Sequence, residues 1–291
     1  MRAAVVRTFG GPEAVEIVDV DVPAPGPRQV RIKVAAAALN RSDALKRSGM
    51  FGEPGGLGSD VAGTVDAAGA DTSWSAGDEV VALALANGTH AQYVVVEADA
   101  VAPAPSSADA LHASTLPLNA LTAAGALDLL GLRKGQSLLV TGAAGAVGGY
   151  AVQLATRQGV SVTALAREKD EQLVRSLGAA HVTNVTGGAD FDAVLDAAIL
   201  GEPALARVRD AGAYVGVAPG AGPAAARGVR IEAVMVRPDG ARLAELVRLA
   251  DEGVLTLRVA ETYALEEAAK AHARLAKGGL RGRLVIVPDH G

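Results

Sequence analysis

The run Ser137-Leu-Leu-Val-Thr-Gly-Ala-Ala-Gly-Ala-Val-Gly148 constrains this chain more than any other part of it. An apolar stretch, Leu138 to Val140, enters a turn of small residues. The following Gly149-Tyr-Ala-Val-Gln-Leu-Ala155 then carries apolar side chains at helical spacing. That order spells strand, tight turn, helix. Ala143-x-Gly145-x-x-Gly148 has the spacing of a dinucleotide fingerprint, with Ala for the first Gly. A small residue at 143 permits the sharp turn, and bare Gly145 lets backbone N–H groups approach a pyrophosphate. Gly148 lets the helix lie close on the strand. The candidate pyrophosphate contacts are therefore Ala143, Ala144, Gly145, Ala146, Val147 and Gly148, at a helix N-terminus whose free N–H groups face the anion. In a chain with 35 glycines, an ordinary strand-to-helix turn would look much the same.

The next segment strengthens the dinucleotide reading. Ser161 to Ala166 reads as a second strand, with Arg167 at the turn after it. A ribose-reading carboxylate is expected about 20 residues past the first Gly where NAD is bound. Here Ala164, Leu165 and Ala166 are neutral and small, and Arg167 adds a positive charge. That combination suits a 2′-phosphate and hence NADPH. A solvated surface Arg, partly neutralised by Glu168, is the competing account.

The 291 residues suggest two domains, since single cores stop growing near ~250–300 residues. A net charge of −5 argues against a nucleic-acid partner. Cysteine is absent, which removes disulfides, thiol nucleophiles and thiolate zinc sites. The histidines His90, His112, His181, His272 and His290 stand singly, without ligand spacing, so no metal is expected. The N-terminus has no signal-peptide pattern, and no apolar run approaches the ~20 residues of a membrane span. A cytoplasmic protein without a membrane partner is expected.

Residues 1–100 read as β-rich, with strands at Arg2 to Val6, Ala14 to Val20, Gln29 to Ala37, Val61 to Ala67, Glu79 to Leu85 and His90 to Val96. The linker Val101 to Ser107 leads into a helical segment around Ala108 to Leu130. From Gly135 strands and helices alternate, with strands at Ser137 to Thr141, Ser161 to Ala166, His181 to Thr183, Asp192 to Asp196 and Ala213 to Val217. The clearest helices lie at Glu168 to Leu177 and Glu202 to Arg209. Such alternation implies a doubly wound parallel sheet. A helix is predicted after Asp239, running to Asp251, with Leu243, Leu246, Val247 and Ala250 on one face. The last forty residues read as mixed structure, with Arg283 to Val287 as a closing strand.

An ordered set of further motifs accompanies the Gly turn. They are Ala38-Leu-Asn-Arg-Ser-Asp-Ala-Leu-Lys-Arg-Ser-Gly49, Gly58-Ser-Asp-Val-Ala-Gly63, Gly77-Asp-Glu-Val80, His90-Ala-Gln-Tyr-Val94 and Leu121-Thr-Ala123. Val236-Arg-Pro238, Leu265-Glu-Glu-Ala-Ala-Lys-Ala-His272 and Arg281-Gly-Arg-Leu-Val285 complete it. The chain resembles the zinc-free, quinone oxidoreductase-like branch of the medium-chain dehydrogenase/reductase superfamily, nearly end to end. The resemblance implies an α/β architecture: a GroES-like β-rich domain (1–107 and 258–291) and an inserted Rossmann domain with a doubly wound parallel sheet (108–257). It further implies a substrate site between the domains and a homodimer joined through the Rossmann sheets. Zinc members carry Cys near residue 40 and a four-Cys loop near residue 90. This chain has Asn40 and no insert between Gly88 and His90.

The resemblance also marks candidate residues. Asn40 matches a substrate-facing amide that donates to a quinone or enone oxygen as charge develops; equally, it caps a helix beginning at Asp43. Arg237 matches a cleft Arg able to attract a substrate oxyanion, or is a surface Arg before a Pro-initiated helix. Thr122 matches a Thr near the nicotinamide, or is an ordinary helix hydroxyl. Val217 and Ala218, ending what reads as the last Rossmann strand, pack near the ring, as strand-end core or as contacts. Arg281 and Arg283 read as solvated charges rather than adenosine-phosphate contacts.

Three departures stand out. Leu45 and Phe51 replace tyrosines near the substrate, Asp196-Ala-Ala-Ile-Leu-Gly201 replaces Asp-x-Val-Gly after the fourth strand, and Asp170 and Val185 replace Lys and Tyr at the 2′-phosphate. Together these features point to an NADPH-dependent reductase of quinones or other α,β-unsaturated carbonyls, acting on a small-molecule substrate. The alternatives are an enoyl reductase tailoring a polyketide or acyl intermediate, and a non-catalytic NADPH-binding protein.

Overall fold

A computed structural model describes residues 1–50, 52–86, 88–184 and 191–290. Phe51 and Val185 lie outside them. The chain divides into two compact units. The first comprises Met1–Leu118, Arg237–Glu252 and Leu257–Gly291, and the second Asn119–Val236 with Gly253–Thr256.

The first unit is built on antiparallel strands. Gln29–Leu39 is its spine, pairing with Asp60–Ala68, Tyr93–Glu97 and the C-terminal Arg283–Val287. Alternation along it buries Val30, Ile32 and Val34 against Val61, Val65, Val80 and Val94, each worth roughly 1.5–3 kcal/mol of transfer free energy. A second core forms where Leu39, Leu284 and Ile286 meet Leu265, Ala268 and Ala271. The last two of these lie on a helix, Ala268–Ala276, in a stretch whose sequence pattern shows only mixed structure.

Helix Gly240–Asp251 begins where the 239–251 pattern predicts, capped by the Asp239 carboxylate, and buries Leu243, Leu246, Val247 and Ala250. It packs on the short strand Val101–Pro103, where a Cβ on Gly240 would stand 2.4 Å from the Val101 carbonyl. It therefore goes with the first unit, whereas the resemblance groups it with the inserted domain, 108–257.

Among the described residues the second unit holds a six-stranded parallel sheet. Its order is His181–Thr183, Ser161–Leu165, Ser137–Thr141, Phe191–Asp196, Val208–Gly216, Arg230–Ala233. In chain order that is 3-2-1-4-5-6, the doubly wound arrangement with its switch point between strands one and four. Two expectations are corrected here. Arg230–Ala233 adds a sixth strand, so Val217 and Ala218 follow the fifth strand rather than end the last one. The helix expected over Glu202 to Arg209 is a single turn, Glu202–Leu205, because Val208 already pairs with Phe191.

The helical segment around Ala108 to Leu130 also divides. Asp109 caps Ala110–Ala113, and Pro117, whose missing N–H costs nothing at a first helical position, starts Pro117–Leu130. Gln153 accepts from both the backbone and the hydroxyl of Thr256 at 2.9 Å, which ties the segment Gly253–Thr256 to this unit.

Candidate functional site

Register places Leu165, Thr141, Asp196 and Gly216 in one row across the C-terminal edge of the parallel sheet. Each is followed by a segment singled out from the sequence. Arg167 comes after Leu165, the small-residue turn after Thr141, and Val217 and Ala218 after Gly216. Ligands of doubly wound sheets bind at this edge.

The turn has the shape its composition predicts. Gly142 adopts φ +60° and Gly145 N–H returns to the Gly142 carbonyl at 2.8 Å. Helix Ala146–Arg157 then starts with no side chain capping it. The first N–H groups of a helix have no intrahelical acceptor, so those of Ala146, Val147 and Gly148 are presented to an anion. A Cβ on Gly148 would stand 2.4 Å from the Gly142 carbonyl, so only Gly permits the helix to lie this close to the strand end. Ala143 is fully buried beneath the turn, Gly145 is exposed, and Ala144, Ala146 and Val147 are half-buried. These residues fit the pyrophosphate of a dinucleotide.

Arg167 is exposed, and its Nε lies 2.8 Å from Oδ2 of Asp170, whose side chain is buried. Asp170 thus turns inward and holds the guanidinium by one edge. Thr122 is buried on helix Pro117–Leu130.

The structure adds a group that sequence reasoning misses, Thr141, Asp196 and Tyr214. Thr141 donates to Asp196 Oδ1 at 2.6 Å and Tyr214 to Oδ2 at 2.7 Å, with Gly201 N–H on Oδ2 at 2.8 Å. Burial, and then the Asp196 carboxylate, push the Tyr214 phenol far above its ordinary pKa. In the sequence Asp196 is only the start of a departing motif, and nothing in local spacing joins it to Tyr214.

The first unit carries a buried polar node. Asn40 is 2% exposed and is the N-cap residue of helix Arg41–Arg47, which begins two residues before the expected start at Asp43. Its Nδ2 donates to Asp60 Oδ2 at 2.8 Å and to the Ala38 carbonyl at 3.2 Å, while its Oδ1 accepts from Arg283 at 2.5 Å. Asp43 reaches back to Asn40 N–H at 2.6 Å, the returning half of a capping box. Asp60 also accepts from Leu118 N–H at 2.6 Å.

Burial drives both carboxyls up, against the hydrogen bonds they accept and the charge of Arg283. Asp43 is raised to about 6 and Asp60 to about 7. Arg283, expected as a solvated charge, is instead bound to Asn40 and to the Leu39 carbonyl. Arg281 and Arg237 are exposed; the helix after Arg237 is started by the Asp239 cap and not by Pro238. Among the described residues no group of three or more His, Cys, Asp or Glu is placed to hold a metal ion, and no helix is long and apolar enough to cross a membrane.

Residues 26–106 match the family described as alcohol dehydrogenase GroES-like domain, and 169–286 the family described as zinc-binding dehydrogenase. A chloroplastic quinone-oxidoreductase of Triphysaria versicolor is 31% identical over 99% of this chain and 98% of its own. The chain belongs to the quinone oxidoreductase-like branch of the medium-chain dehydrogenase/reductase superfamily. As a member of that branch it pairs a GroES-like sheet domain with a Rossmann-like parallel sheet, a fold that binds nicotinamide dinucleotides.

Among solved structures, a mycobacterial protein complexed with NADPH superimposes with a TM-score of 0.85 at 28% identity, covering 99% of this chain and 100% of the other. The pikromycin polyketide synthase component PikAII of Streptomyces venezuelae is 32% identical over 90% of this chain. The chain spans only 8% of that protein's length.

Proposed function

We propose that the protein is an NADPH-dependent reductase of quinones or other α,β-unsaturated carbonyls that works without zinc. The observation that carries this reading is the row Leu165–Thr141–Asp196–Gly216, whose following segments bring the anion-binding turn, Arg167 and Val217–Ala218 to one sheet edge. The bound cofactor would supply the hydride. The chain's residues position it: Ala143 to Gly148 take the pyrophosphate, Arg167 the 2′-phosphate, and Thr122, Val217 and Ala218 the nicotinamide half. A relative solved with NADPH and a quinone oxidoreductase relative support this assignment.

Asn40 and Arg237 are the proposed substrate-side residues. Both hydrogens of the Asn40 amide are engaged, so Asn40 serves a developing oxyanion by exchanging its longer bond, to Ala38 at 3.2 Å, while Asp60 and Arg283 keep the amide oriented. Without Cys ligands, charge delocalised over a conjugated acceptor suits this chain better than a simple ketone. Loss of NADPH absorbance with a panel of quinones and enones, unaffected by chelators, is the expected result. Turnover on none of them would sink the proposal.

A second reading, reduction of an enoyl thioester on an acyl or polyketide chain, is favoured by the similarity to the polyketide synthase component. A higher kcat/KM on an enoyl thioester than on any quinone would decide for it.

A further inference from the structure

Ile199 holds a backbone conformation, φ +58°, that β-branched residues rarely adopt. It stands in Asp196-Ala-Ala-Ile-Leu-Gly201, at the place where the family-like run Asp-x-Val-Gly has its Gly. Hydrogen bonds fix the backbone on both sides of it. Ala198 N–H donates to Thr141 Oγ1 at 2.9 Å, and Gly201 N–H donates to Asp196 Oδ2 at 2.8 Å. Relaxing the loop would break bonds to the buried Thr141 and Asp196, which opposes relief of the strain.

The fold gains little packing from this residue in return. Ile199 remains 46% exposed, an unusual state for a strained apolar side chain. With Gly216, Val217 and Ala218 it lines a small pocket at the strand ends of this unit. Strain of this kind, retained where packing does not explain it, points to function.

The switch point says which ligand group belongs there. The anion-binding turn follows the first strand and Arg167 follows the second, so the phosphorylated ribose lies to one side of the pyrophosphate. The other half of the dinucleotide then extends to the opposite side, over strands four and five, where Ile199 stands.

We infer that Ile199 is a cofactor-contact residue, held in its left-handed conformation by Thr141 and Asp196 so that its side chain packs on the nicotinamide half of the dinucleotide. The inference rests on the proposed NADPH reading, and its test separates the two. Ile199→Gly removes both strain and side chain, whereas Ile199→Ala keeps a Cβ and shortens the side chain. Each variant and the unmodified protein would be titrated with NADPH and with 2′,5′-ADP, which lacks the nicotinamide half.

Both variants are expected to bind NADPH about three- to tenfold more weakly and 2′,5′-ADP unchanged. Ile199→Gly is also expected to melt about 2–4 °C higher. NADPH affinity unchanged in both variants, or equal losses for the two ligands, would overturn the inference while leaving the cofactor reading intact. An unmodified protein that binds neither ligand would overturn both.

Discussion

Thr141 and Asp196 close the first and fourth strands of the parallel sheet, and the Thr141 hydroxyl donates to the Asp196 carboxylate at 2.6 Å. The bond spans the switch point, where crossovers leave on opposite faces and open a crevice for ligand. Asp196 also gathers Tyr214 and the Gly201 backbone, so strands one, four and five and the loop after strand four share one buried acceptor.

Removing that acceptor should therefore cost more than removing one donor. Asp196→Asn substitutes an NH2 group for one of two oxygens that receive three donors, leaving at least one buried donor unmatched. A loss of about 1–3 kcal/mol in urea unfolding is expected, against about 0.5–1.5 kcal/mol for Tyr214→Phe. Equal effects would show that the carboxylate is not the organising group.

The turn makes a sterically simple prediction. Gly148→Ala places a Cβ 2.4 Å from the Gly142 carbonyl, a backbone atom that cannot step aside. The helix must move off the strand, at a cost of about 1–3 kcal/mol, and its N–H groups move off the pyrophosphate. Lower melting temperature together with weaker NADPH binding is expected. Unchanged binding in a folded variant would remove the turn from the cofactor site.

Stability against pH should show two opposed contributions in the first unit. Asp43 and Asp60, raised by burial to about 6 and about 7, keep protons in the native state that the unfolded chain releases near pH 4. Their contribution is present below that pH and is lost as pH rises toward 6–7. His90 and His272 behave oppositely. Burial lowers them to about 4 and about 3, so the unfolded chain gains protons below about pH 6.5 and the histidines' contribution is lost on acidification. Between about pH 4 and 6 the two pairs offset each other. Asp60→Asn should make the protein lose stability more steeply on acidification, and His272→Leu less steeply, in denaturant titrations at half-unit pH steps. Parallel profiles for all three proteins would refute this account.

Legibility in the sequence tracks the range of the interactions. Strands Arg2–Val6, Ser137–Thr141 and Arg283–Val287 stand where alternation and apolar runs place them, because strand formation here is written in neighbouring residues. The Asn40–Arg283 bond joins positions 243 apart, and no local pattern encodes it. Asn40 itself has two readings of similar weight in the sequence; its place ahead of Arg41–Arg47 supports the capping one, and its bonds to Asp60 and Arg283 belong to neither. Asp60 heads the strand Asp60–Ala68, one residue ahead of the expected Val61 to Ala67, and no local pattern marks its burial. Ile199 is visible only as a motif departure, since its φ follows from hydrogen bonds that Thr141 and Asp196 make after folding.

Cofactor choice gives the sharpest prediction. Arg167 follows the second strand, where Ala164 and Leu165 offer no carboxylate to a ribose 2′-hydroxyl. The buried Asp170 carboxylate grips the guanidinium at Nε, 2.8 Å away. The pair of Nη groups is the edge that clasps a phosphate bidentately, and charge-assisted bonds of this kind contribute roughly 1.5–3 kcal/mol. At ~1.4 kcal/mol per decade, NADPH should bind about ten- to a hundredfold more tightly than NADH. Arg167→Ala should erase most of that preference by weakening NADPH alone. Asp170→Ala, which frees the guanidinium to wander, should lower the preference in part while leaving NADH affinity in place. Equal affinities for the two cofactors in the unmodified protein would return Arg167 to the solvent-exposed surface.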